Sequence, residues 1–205
     1  MNPNGGPIYR ILEWITKFAY VNVLWVIFTF IGGIVFGFFP ATIAMFAIVR
    51  KWLNGDVDHS VLSSFWYFFK KEFLKGNLLG LFIVGISTLM ATNIYFMQIN
   101  LNELLKITYI PLFVFMVLYS LFLFFIFPAF VHYDVKLTQV MKNAFLIMLV
   151  SPIQSAFIII CLISTYFVMN AIPALAFIFG GSVYTFITMW LCLNAFRKVE
   201  KKMNI

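Results

Sequence analysis

Between Phe18 and Val49 the chain runs for 32 residues without one charged side chain. A single helix cannot use that run in one membrane crossing. At 1.5 Å per residue it would measure about 48 Å, against a hydrocarbon core of about 30 Å. Gly32, Gly33, Gly37 and Pro40 lie near its middle, where glycine supplies turn conformations and proline interrupts the helical hydrogen-bond ladder. The run therefore predicts two short crossings, about 18–31 and 40–53, joined at a glycine-rich bend. Gly33 and Gly37 have GxxxG spacing, but their place in the bend predicts turning rather than helix packing.

The whole chain fits lipid as solvent. Of its 205 residues 63% are apolar and only 10% charged, and 27 are Phe, whereas a soluble domain carries about a quarter charged residues. Further apolar stretches at about 76–97, 108–131, 145–168 (kinked or started afresh at Ser151-Pro152) and 173–194 predict an all-α, polytopic transmembrane helical bundle. It has about six segments in one integral membrane domain over 1–205. Before the first run, Ile8, Leu12 and Ile15 share a face while Arg10, Glu13 and Lys17 do not, which predicts a short helix lying in the interface. The amino-terminal residues lack the plan of a signal peptide, so no processing is expected. Cys161 and Cys192 fall inside apolar runs and read as buried thiols.

Two amphipathic helices are expected on the same side of the membrane, at about 61–74 and 135–145. Asn54-Gly55-Asp56 reads as a turn, with Asp58 or Ser60 as cap of the first. On it Leu62, Phe65, Trp66, Phe69 and Phe73 share one face, and Ser64, Tyr67, Lys71 and Lys75 the other. That pattern predicts aromatics in the acyl boundary and lysines toward headgroups or a partner. Arg50, Lys51, Trp52, Trp66, Lys70, Lys71 and Lys75 are the expected membrane-surface or partner contacts.

Lys and Arg number five in the 50–76 connection, one in 98–107, two in 132–143, none in 169–172 and four after 194. The positive-inside rule makes the first, third and last of these cytoplasmic. Arg10 and Lys17 favour the same side for the amino terminus, which gives six crossings with both termini cytoplasmic. Five crossings, with the amino terminus outside, is the alternative. The net charge of +7 suits anionic headgroups. No basic stretch is interleaved for nucleic acid, so none is expected as partner.

No catalytic, cofactor or metal set is expected. Asp56, Asp58 and His59, or His132 and Asp134, lack the ligand number and spacing of a zinc helix. No Ser-His-Asp arrangement or phosphate loop occurs, and the protein reads as no enzyme. Phe39-Pro40-Ala41 recurs as Phe127-Pro128-Ala129, too short an identity to establish a duplication. No ionisable residue lies centrally in a span, unlike most ion-coupled carriers. Asn22, Ser87, Thr88, Asn93, Gln154, Ser164, Thr165, Ser182, Thr185 and Thr188 remain there and are expected to bond between helices.

The order PAT…AMFAIVRKWLNGD…SVLSSFWYFFKKEF within Pro40–Phe73, with Asn22-Val23-Leu24-Trp25 ahead of it, resembles the YesL-like family of bacterial integral membrane proteins. The resemblance implies a multi-pass protein of the bacterial cell membrane whose gene sits near those of carbohydrate ABC importers and polysaccharide-degrading enzymes. From it comes the expectation of an accessory or assembly factor for carbohydrate uptake, with importer subunits as partners beside the lipid bilayer. A transporter or channel for a small neutral solute, such as an oligosaccharide, is the alternative. The resemblance carries over no site residues.

Orientation is testable with single cysteines in a background lacking Cys161 and Cys192. Those at Gly55 and Gln139 should resist impermeant thiol reagents in intact cells, and those at Asn102 and Asn170 should label. Labelling at Gly55 would reverse the assignment.

Overall fold

A computed structural model describes residues 6–57, 59–99 and 109–203. Eight helices form among them: α1 (Pro7–Ile31), α2 (Val35–Leu53), α3 (Val61–Lys71), α4 (Phe73–Ile99), α5 (Tyr109–His132), α6 (Leu137–Val150), α7 (Pro152–Ala171) and α8 (Pro173–Met203). All but α3 and α6 are long and apolar enough to cross a membrane, which makes six candidate spans. Asp58 as a cap, and the polar connection from 100 through 107, lie outside the described residues.

The charge-free run does fold back on itself, but not at the expected bounds. Its turn is confined to Gly32-Gly33-Ile34. Gly33 has φ +79°, and Val35 N–H closes onto Gly33 O at 2.7 Å, so the reversal takes three residues. The interfacial helix expected before residue 18 is instead the first part of α1. Its charges are accommodated because Lys17 Nζ pairs with Glu13 Oε1 at 2.7 Å, one helical turn away. Trp14 packs edge-on against Trp52 with 5.8 Å between ring centres. The 25 residues of α1 reach about 37 Å, which removes the shortfall of a crossing at 18–31.

The second crossing starts at Val35, not 40, and keeps Pro40 inside the helix. Gly37 is not part of the bend. It lies against α1 so closely that a Cβ there would stand 2.3 Å from Thr29 O, so Gly37 serves helix packing, whereas Gly33 makes the turn as expected and the two form no GxxxG face. Gly76 and Gly80 do the same for α4. A Cβ would come within 2.9 Å of Ile43 Cδ1 at the first and 2.2 Å of the Phe39 ring at the second. Small residues let backbones approach where lipid offers no hydrophobic drive for association.

These contacts make α2 the centre of the bundle, touching α1, α3, α4, α5 and α8. From Pro40 to Val49 every residue is buried. Phe46 stacks on Phe127 of α5 at 5.7 Å, and Thr185 of α8 lies 3.3 Å from Met45 Sδ. By contrast α4 and α7 leave most of their apolar surface outward, as lipid-facing helices do.

Three further bounds differ from expectation. The helix begun at Val61 ends at Lys71, and a turn at Glu72 starts α4 at Phe73. The second amphipathic helix continues to Val150, and the next span begins at Pro152, because proline suits the first turn of a helix and not its interior. The last span runs on to Met203.

Most polar groups within the spans bond inside their own helix rather than between helices. Thr88, Asn93, Ser164, Thr165 and Thr188 each donate to the carbonyl four residues back. Interhelical bonds include Asn22 Nδ2 to Phe177 O at 2.9 Å, Trp25 Nε1 to Thr42 Oγ1 at 3.0 Å, Ser87 with Tyr119 Oη at 2.9 Å, Tyr119 Oη to Ile83 O at 2.8 Å, and Thr185 Oγ1 to Met45 Sδ at 3.3 Å.

The Gly37 contact yields a stability test. Gly37→Ala should cost about 1–3 kcal/mol, since backbone must move to admit the methyl. Gly85→Ala, with nothing within 4 Å of its Cβ, should stay within about 0.5 kcal/mol. Thermal unfolding in detergent reads both, and equal shifts would contradict the close α1–α2 approach.

Candidate interaction surface at the basic end

The up-and-down path brings the start of α1 and the ends of α2, α5 and α8 to one end of the bundle, along with α3. Trp52 of α2 meets Trp14 and Phe18 of α1. Lys51 lies over the Phe68 ring of α3 at 5.3 Å. The Arg50 guanidinium donates to Val131 O of α5. His132 of α5 meets Glu200 of α8 at 3.1 Å, and Arg197 Nη2 reaches Asn54 Oδ1 at 3.4 Å. The basic clusters that lie far apart in the chain therefore share one surface.

In that surface a cleft of about 430 Å³ opens between α2, α3, the start of α4, and the α5–α6 connection. Ile43, Ala47, Phe68, Phe130 and Val140 supply apolar wall, and Arg50, Lys51, Lys71 and Lys75 supply positive charge. Asp56, Glu72 and Asp134 set three carboxylates against those four cations. Lys51 is 3.9 Å from Asp56, and Lys71 is 3.8 Å from Glu72. Such half-exposed pairs contribute little stability, so their cations are free to exchange partners. Tyr133 also lines the cleft. Burial, reinforced by the Glu200 charge, pushes its phenol up to about 12, so it stays a neutral hydrogen-bonding group at physiological pH.

Of the residues expected as contacts, Arg50, Lys51, Lys71 and Lys75 come together in this cleft. Lys70 and Trp66 do not. They sit on the outer face of α3, with Lys70 Nζ 5.0 Å above the Trp66 ring. Trp52 is no surface residue, being 6% exposed within the aromatic cluster of α1 and α2.

The apolar stripe of α3 is also split. Phe65 and Phe69 are buried against Phe28 of α1, at 4.9 and 5.2 Å between rings, while Leu62 and Trp66 are half-exposed, Trp66 resting one side on Phe28 at 5.6 Å. A helix seated on protein, not afloat in the interface, explains that division. Sequence reasoning missed Val131, Tyr133 and Leu137 as cleft walls. They belong to a segment some 80 residues away, and nothing local links it to Arg50.

A family model described as "Protein of unknown function, DUF624" matches residues 18–94. The uncharacterized protein YteU of Bacillus subtilis (strain 168) is 33% identical over 197 residues, covering 96% of this chain and 88% of the relative. The chain belongs to the YesL-like family. YesL itself, from the same organism, is 32% identical over 202 residues, covering 93% of this chain and 90% of its own. YesV, also uncharacterized, is 31% identical over 194 residues, with 94% and 93% covered. No solved structure matches the chain. The matched segment of this YesL-like protein takes in α1 from Phe18 through most of α4, and so includes the hub helix and three walls of the cleft.

Seating α3 through Phe65 and Phe69 makes a direct prediction. Phe65→Ser with Phe69→Ser should sharply lower folded protein in the membrane, since each change empties a buried aromatic site worth about 3–5 kcal/mol. Leu62→Ser, on the exposed side of the stripe, should leave accumulation nearly intact. Comparable losses in quantitative blots of membrane fractions would mean that both halves of the stripe are buried.

Proposed function

We propose that this YesL-like protein is a non-enzymatic accessory or assembly factor for carbohydrate ABC-type uptake in the bacterial cell membrane. The basic end faces the cytoplasm, and its cleft holds a segment of an importer subunit. The observation that carries the reading is the contrast between the middle of the bundle and its basic end. Around α2 the middle is filled by Met45, Phe46, Phe125 and Ile126, all essentially without exposure. A carrier would place its solute site near that midplane. The basic end instead offers a recess with apolar wall and charges of both signs, which suits a short stretch of polypeptide better than a bare ion or a neutral sugar. The carbohydrate setting comes from the family resemblance.

Lys71 and Lys75 would meet acidic groups of the partner, with the Phe68 and Phe130 rings against its apolar side chains. Affinity purification of the tagged protein should recover subunits of a carbohydrate importer. Lys71→Gln with Lys75→Gln should cut that recovery roughly fivefold or more, each lost charge pair being worth up to about 1 kcal/mol, without removing the protein from the membrane. Purified protein alone in liposomes should move no sugar. Flux without any importer subunit would replace this reading with that of a transporter for a small neutral solute.

A further inference from the structure

A second cleft, of about 690 Å³, lies on the same end of the bundle between the start of α7 and the end of α8. It differs in kind from the one beside α3. Its charged lining is Arg197, Lys198, Lys201 and Glu200, three cations against one carboxylate. That carboxylate is turned toward His132, at 3.1 Å.

Three features of α7 add to the positive field. The helix begins with Pro152 at its first position, and no side chain caps its amino terminus. Ser155 N–H is satisfied by Ser151 O at 3.2 Å, which leaves the Ile153 and Gln154 N–H groups as the open donors of the first turn. The helix dipole places partial positive charge there, where anions bind. Gln154 is the independent sign of a ligand. It is only 8% exposed, lines the cleft, and its amide has no hydrogen-bond partner among the described residues. Its amide atoms are not sealed in the protein but open to the cleft, so the amide N–H is free to donate to an acceptor there.

The rim is apolar. Ile153 and Phe157 are largely exposed on α7, and they continue into its outward face, where Ile160 also points away from the protein. A ligand here meets cations and N–H donors at one level and an apolar track running along a membrane span.

We propose that this cleft binds the phosphate of an anionic phospholipid, its headgroup held by Arg197, Lys198, Lys201, the Gln154 amide and the start of α7. The acyl chains lie along Ile153 and Phe157. A soluble phosphate would use the same donors but not that apolar track. The site is separate from the cleft beside α3 and independent of the importer reading.

Native mass spectrometry of the full chain, delipidated and supplied with equal phosphatidylglycerol and phosphatidylcholine, tests the site. One phosphatidylglycerol should be retained in preference, by at least tenfold. Arg197→Gln/Lys198→Gln/Lys201→Gln should weaken that retention on the order of 100-fold, at about fivefold per basic residue. Gln154→Leu should weaken it about fivefold or more, and covers the case in which the triple variant does not fold. Lys51→Gln/Lys75→Gln, in the other cleft, should retain the lipid as the parent does. Equal retention of the two lipids, or undiminished preference in Gln154→Leu, overturns the proposal. Displacement of the lipid by an equimolar concentration of glycerol phosphate would assign the site to a soluble phosphate and overturn it likewise.

Discussion

Everything in this bundle depends on burying one helix on all sides in a solvent that does not drive burial. Lipid tails are as apolar as leucine, so helices associate through close packing and the few hydrogen bonds their side chains allow. α2 is met by five other helices, and close approaches at Gly37, Gly76 and Gly80 bring α1 and α4 onto it. Its composition follows from that position. A charge or a bulky polar group between Pro40 and Val49 would have neither water nor lipid headgroup to meet. Thr42 is accommodated because it donates to Phe38 O and accepts from Trp25.

The same burial fixes the basic end. Because α2 cannot slide relative to its neighbours without breaking the glycine contacts, its last turn delivers Arg50 and Lys51 to one level. There the Arg50 bond to Val131 O and the Lys51 contact with Phe68 tie α5 and α3 to it. A surface built this way is ordered before any partner arrives, and little entropy is lost on docking. The two clefts then divide the chemistry. The one beside α3 is nearly balanced in charge, and the one between α7 and α8 is predominantly positive.

How far the sequence carried the fold can be argued residue by residue. The reversal after residue 31 was legible because a 32-residue uncharged run exceeds any bilayer and glycines mark its middle. The start of α1 was not, because Arg10, Glu13 and Lys17 look interfacial until the Glu13–Lys17 pair and the Trp14–Trp52 contact are seen. Periodicity found the apolar stripe of α3 but could not tell that Phe65 and Phe69 are buried while Leu62 and Trp66 stay half-exposed. Four cleft residues were legible from charge clustering alone. Their opposite wall was not, since contacts between residues 50 and 131 leave no local signal. Gln154 was visible only as one polar residue in a span, and its meaning comes from Arg197, Lys198 and Lys201 across the cleft.

The central claim is that α2 is enclosed by protein. Lipid accessibility along it tests this most directly, using a nitroxide placed in turn from Ala41 to Val49 and relaxed by oxygen dissolved in the bilayer. The account predicts uniformly low accessibility with no helical period, alongside a clear 3.6-residue oscillation over the same length of α7. An oscillation on α2, with one face as accessible as the outer face of α7, would contradict it.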